Sequence, residues 1–121
     1  MTNYREEFKA FVQSMESGAP VPAENVGRLI VKLASYFSDA ITTMVKAEYA
    51  YNKKLAQLEQ GVDETSGKPL SSTKAEALAK ATPEYLDYAT AKGETVSLEQ
   101  CINSCKALQK SLQNDFSYSG M

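Results

Sequence analysis

The side chains of this 121-residue chain able to carry chemistry are two cysteines, seven tyrosines, 13 lysines and arginines and 15 acids; histidine is absent. Without imidazole, His-based zinc sites, the Ser-His-Asp triad, the Cys-His pair and the commonest general base all drop out. Cys101 and Cys105 are four apart, so on a helix their Cβ vectors run side by side and do not converge on disulfide geometry. Two thiolates fill half of a tetrahedral metal site, which only a second chain could complete. They read as small buried thiols in a reducing compartment. The carboxylates Glu6, Glu7, Glu59, Asp63, Glu64, Glu94 and Glu99 make no inward Glu-x-x-His set, which excludes a ferritin-like di-iron site in its usual form. They read as solvated helix faces. No catalytic residue, no metal ligand and no cofactor is expected, and the protein is expected not to be an enzyme.

Residues Gly61 to Lys68 superficially resemble a phosphate loop, but five residues separate the glycines, Pro69 replaces the magnesium-holding hydroxyl, and no strand precedes it. What remains for ligand chemistry is basic residues beside aromatic rings. Arg28 and Lys32 are four apart, as are Lys106 and Lys110, and Lys46, Tyr49 and Lys53 share a helix face. Such a group can hold a phosphate while a base stacks on the ring. The candidate ligand-binding residues are Arg28, Lys32, Tyr36, Lys46, Tyr49 and Lys53. Copies around an axis would strengthen their local field.

The elements that position these residues are helices. Tyr4, Phe8, Phe11, Val12 and Met15 recur at helical spacing and predict a helix over about 4–17, with Thr2 as N-cap and Gly18 as its stop. Ala19-Pro20-Val21-Pro22 then forms a stiff elbow, because each proline restricts the residue before it. A long helix over about 22–60 follows, with Pro22 at its first position and Gly61 after its end. Val26, Ile30, Leu33, Phe37, Ala40, Met44, Ala47 and Tyr51 alternate spacings of four and three, a heptad seam. Leu29, Ile41 and Val45 widen that apolar face, and Gly27 admits close approach of another backbone.

Residues 61–72 favour turns and predict a mobile loop. Thr73-Lys74-Ala75-Glu76 has capping-box spacing and predicts a short helix over about 74–81. Thr82-Pro83-Glu84 restarts the chain as a second long helix over about 83–116. Its stripe is Tyr88, Ala91, Thr95, Leu98, Ile102, Cys105, Leu108, Leu112 and Phe116. Gly93 inside it marks a weak point or a close helix contact, and Ser117 to Met121 should fray. The expected fold is all-α and a single domain over 1–121. It is a long antiparallel helical hairpin with a short N-terminal helix and a short helix near its tip.

Such a hairpin is one layer and encloses no core of its own. Tyr36, Tyr49, Tyr85 and Tyr88 lie off or at the edge of the seams, and partner chains are the economical cover for them. A homo-oligomeric bundle, with even number favoured, is therefore expected. The net charge of −2 argues against a nucleic-acid partner. The acidic start lacks a secretory signal, and no apolar run reaches the roughly 18 residues of a membrane span. A cytosolic protein without a membrane partner is expected.

Between Val26 and Asn114 the chain resembles small helical proteins encoded by tailed bacteriophages and prophages. The resemblance is carried by Ala47-Glu48-Tyr49-Ala50-Tyr51, by Ser72-Thr73-Lys74-Ala75-Glu76-Ala77 leading to Thr82-Pro83-Glu84-Tyr85, and by Lys106-Ala107-Leu108-Gln109-Lys110-Ser111-Leu112. It implies a host bacterial cytoplasm and a protein without assigned activity. Some small helical phage proteins antagonise bacterial immunity stoichiometrically, including oligomers that sequester cyclic nucleotide signals, and others accompany phage recombination genes. No functional residue carries over. The expectation is a non-enzymatic, oligomeric anti-defence protein that sequesters a nucleotide immune signal or blocks a host defence protein. The alternatives are a phage DNA recombination or replication accessory protein and a structural or assembly chaperone.

Overall fold

The computed structural model describes residues 4–18 and 21–119, with side chains as far as Asn114. Among these residues the chain is all-α, with four helices: α1 (Tyr4–Glu16), α2 (Ala23–Glu59), α3 (Ser72–Ala79) and α4 (Pro83–Ser119). Thr2, Ala19 and Pro20, on which the expected first N-cap and half of the elbow fall, lie outside the described residues. So does the side chain of Phe116.

The helix ends follow local chemistry. Gly18 takes φ +80° and its N–H donates to the Met15 carbonyl at 3.1 Å, so α1 stops on a left-handed glycine. Pro22 stands one residue before α2 and not at its first position. Its carbonyl accepts from Asn25 N–H at 3.0 Å and Val26 N–H at 3.4 Å, which is a cap's role. Helix α4 begins as expected from its residues. Thr82 Oγ1 accepts from Tyr85 N–H at 3.3 Å, and Pro83, with no N–H to satisfy, is the first helical residue. The backbone is helical to Ser119, beyond the expected end at 116, and Gly120 and Met121 lie outside the described residues.

Helix α3 corrects the expectation of 74–81. Ser71, not Thr73, is the N-cap: at φ −69° and ψ 156° its Oγ accepts from Lys74 N–H at 3.2 Å. The third helical position is therefore Lys74, and Glu76 closes no capping box. Ser71→Ala is expected to destabilise the residues around α3 by about 1 kcal/mol, whereas Thr73→Ala stays within about 0.5 kcal/mol. Comparative urea unfolding of the two variants decides which hydroxyl caps.

The loop over 61–72 is closed rather than open. Asp63 N–H donates to Lys68 O at 2.7 Å and Leu70 N–H to Gly61 O at 3.1 Å, pairing Val62 with Pro69 as an isolated antiparallel bridge. Gly67 turns the chain at φ +71°. Asp63 Oδ1 accepts from Thr65 N–H at 2.8 Å, and Oδ2 pairs with Lys74. Those two contacts, the lysine first, hold the Asp63 carboxyl below the ordinary carboxylate range. Turn residues that read as slack are thus tied by their own side chains.

The residues cluster into two compact units, 1–39 with 96–121, and 40–95. In the first, Tyr4, Val26, Leu33, Leu98, Ile102 and Cys105 are buried. Phe8, Phe11, Val12, Ile30 and Phe37 are half-buried, while Met15 at the end of its stripe is exposed. Gly27 admits a side chain, not a backbone. A Cβ there would stand 2.8 Å from Gln109 Nε2, which reaches the Ala23 carbonyl at 3.5 Å.

In the second unit Ala75, Ala79, Ala91 and Thr95 are buried. The Thr95 hydroxyl lies 2.9 Å from Ala91 O and 3.4 Å from Ala40 O, so the one buried polar side chain among the described residues has acceptors. Ala40, Met44, Ala47 and Tyr51 are half-buried along the seam. Ile41 and Val45, expected to widen the apolar face, are exposed instead. Gly93 makes no close helix contact among the described residues: none lies within 4 Å of where its Cβ would be.

Candidate functional site

The six candidate residues fall three to each unit. In the first, α2 carries Arg28, Lys32 and Tyr36 on successive turns. Arg28 is paired along its own helix, Nη2 to Glu24 Oε1 at 2.5 Å, with both side chains 73% exposed. At that exposure the pair contributes little. Lys32 and Tyr36 are brought together by a residue of α1 for which the sequence reading had no role. Glu7 Oε1 accepts from Lys32 Nζ at 2.6 Å and from Tyr36 OH at 3.3 Å. Its other oxygen, Oε2, is buried without a hydrogen-bond partner.

A carboxylate therefore stands where a ligand's anion would have to bind. The only sequence signal for it was the position of Glu7 beside the Tyr4–Phe8 stripe. The contact also holds the Lys32 ammonium above the usual lysine range, through its hydrogen bond to Glu7 first and the charge of Glu7 second. A raised lysine pKa contributes stability that is fully present below the unfolded value near 10.5 and is lost as pH rises through the folded one. Glu7→Gln is expected to flatten this alkaline loss, visible as a shallower fall of melting temperature above about pH 10. Identical alkaline slopes in the two proteins would show that the pair does not form.

Near this cluster the thiols are quiet. Cys101 is half-buried and Cys105 buried, both free. Burial pushes both thiols up, opposed at Cys101 by the positive charge of Arg5 and reinforced at Cys105 by Cys101. A raised thiol is a poor nucleophile at neutral pH. Arg5 is itself engaged, with its guanidinium 5.5 Å from the Tyr4 ring centroid and Nε 3.1 Å from Tyr4 OH.

In the second unit Lys46, Tyr49 and Lys53 are all exposed on α2, Tyr49 to 70%. Three other tyrosines there find one another. Tyr51 stacks on Tyr88 with centroids 5.7 Å apart and 10° between planes, and meets Tyr85 at 5.2 Å and 57°. Tyr85 and Tyr88 were expected to await a partner chain; Tyr51 serves them within this one, and Tyr36 has Glu7. Of the four tyrosines set aside in the sequence, Tyr49 alone is exposed. Spacing along one helix gave no signal for the trio, because Tyr51 lies on α2 and Tyr85 and Tyr88 on α4.

Among the described residues no group of three or more His, Cys, Asp or Glu could hold a metal ion, and no helix is long and apolar enough to cross a membrane. No family model, no curated protein and no solved structure matches the chain.

Proposed function

We propose that this chain is a non-enzymatic, phage-type binding protein that acts stoichiometrically as a homo-oligomer. Its α2 and α4 would form a long antiparallel hairpin, with α3 near the tip. Within 40–95, the approach of Thr95 to Ala40 and of Tyr85 and Tyr88 to Tyr51 supports the antiparallel sense. The observation that carries the self-associating reading is the row Ile41, Val45 and Tyr49 on α2, exposed by 37%, 55% and 70%. Large apolar side chains grouped on one exposed helix face mark a surface that meets protein. The favoured biological role is anti-defence in the host cytoplasm, by blocking a host defence protein.

A second reading, sequestration of a nucleotide immune signal, is favoured by Lys46 and Lys53 beside Tyr49, which offer phosphate contacts and an open ring. In the first unit, by contrast, Glu7 and Glu24 already occupy Lys32, Tyr36 and Arg28. Native mass in solution tests the oligomer. Titration calorimetry against cyclic di- and trinucleotides and cyclic ADP-ribose isomers separates the two readings. Heat that vanishes in Tyr49→Ala supports nucleotide binding, and absence of heat with every nucleotide leaves the protein partner. A lone 13.2 kDa chain at working concentration would sink the oligomeric reading.

A further inference from the structure

We propose that the exposed face of α2 in residues 40–95 docks, in antiparallel sense, on the exposed face of α4 of a second copy. This rests on the homo-oligomeric reading above and names the faces that meet.

The two faces differ in a complementary way. On α2, Ile41, Val45 and Tyr49 recur every fourth residue and project three large side chains into solvent. On α4, Ala89, Thr90 and Gly93 are small and exposed, with Leu86, 66% exposed, at one end. Nothing lies within 4 Å of where a Gly93 Cβ would be, so the face of α4 is locally a trough. Glycine is the poorest helix former after proline, and no contact among the described residues requires it at 93. A large side chain such as Tyr49 seated in a trough of small ones is how helices interdigitate.

Charge fixes the direction. Lys46 and Lys53 are seven residues apart and exposed, and Asp87 and Glu94 are seven apart on α4. Lys46 follows Val45, Asp87 follows Leu86 and Glu94 follows Gly93, so both charged pairs lie on the same-handed edge of their faces. Same-handed edges meet when two helices run antiparallel. With Tyr49 over Ala89 to Gly93, that register sets Lys46 opposite Glu94 and Lys53 opposite Asp87, with Val45 and Ile41 lying beyond the trough along α4. A parallel arrangement would turn the lysine edge toward the other side of α4, where the exposed Lys92 repels it. Glu94 is half-buried and keeps an interaction within its own chain, so Lys53 with Asp87 is the stronger pair.

Every copy offers both faces, so two copies can pair reciprocally, α2 of each on α4 of the other, or further copies can add head-to-tail. It covers Tyr49 and its flanking lysines, so it excludes nucleotide binding at that face in the assembled form.

Light scattering on purified full-length chain, with circular dichroism as a folding control, tests this. Wild type is expected to show a multiple of 13.2 kDa. The variants Lys46→Glu/Lys53→Glu and Asp87→Lys/Glu94→Lys, each still helical, are expected to associate at least about tenfold more weakly. An equimolar mixture of the two is expected to recover the wild-type mass, since each supplies the charge the other has lost. If one double variant loses its helicity, Lys53→Glu and Asp87→Lys alone carry the same test. Wild type with the mass of one chain overturns this contact together with the oligomeric reading. An oligomer whose mass ignores both reversals, or two weakened variants that mixing does not restore, overturns the contact alone.

Discussion

Leu33→Ala is expected to lower the stability of the protein by about 3 kcal/mol, a fall of roughly 10 °C in melting temperature. Leu33 is 0% exposed and is among the largest fully buried side chains, with Val26, Leu98 and Cys105 in the same unit. Truncation there removes the transfer free energy of three carbons and leaves a cavity that rigid helical neighbours fill poorly. Val31→Ala, two residues earlier, deletes carbon from a side chain 72% exposed and is expected to change stability by less than about 0.5 kcal/mol. Both variants belong in one denaturant series at one protein concentration, because association shifts apparent stability. Equal effects at 31 and 33 would mean that α2 packs through another face.

Tyr51→Ala is the second large effect, about 2 to 3 kcal/mol. Tyr51 is half-buried, and its ring touches both Tyr85 and Tyr88. Its loss removes a stacked and a tilted contact at once and strips cover from two more rings. Tyr51→Phe keeps the faces and is expected to retain most of the stability. A double-mutant cycle between positions 51 and 88 isolates the stacking, expected at about 0.5 to 1.5 kcal/mol of coupling. Coupling near zero would show that the rings merely lie side by side. Tyr49→Ala, by contrast, removes a ring already in solvent and is expected to leave the isolated chain's melting temperature nearly unchanged while weakening self-association.

The amino-acid sequence alone determined the helices. Period and end signals are local properties: the three-and-four spacing from Val26 to Tyr51, Thr82-Pro83 at the start of α4, and Gly18 after α1 act over a few residues each. The same locality explains the miss at α3, where Ser71 and Thr73 both precede an acceptable helix. The choice went to Ser71, whose extended backbone places its hydroxyl on the Lys74 N–H. It also explains the loop. Turn propensity shows that residues 61–72 leave the helix, but not that Asp63 reaches Lys74 across eleven positions and closes them.

Only the tertiary structure decided which charges and rings are already satisfied. Lys32 and Lys46 look alike in sequence, each on α2 with an aromatic residue a turn away. Lys32 meets Glu7 because α1 packs beside it, whereas Lys46 faces solvent. Tyr85 and Tyr88 looked unpartnered until Tyr51 was placed between them, and Ile41 and Val45 looked like core until the seam turned away from them. A periodic pattern fixes the stripe of a helix that seeks cover. Which other helix supplies that cover, and which residues are left for a second chain, depends on packing between segments far apart in sequence. Neighbours along the chain carry no record of it.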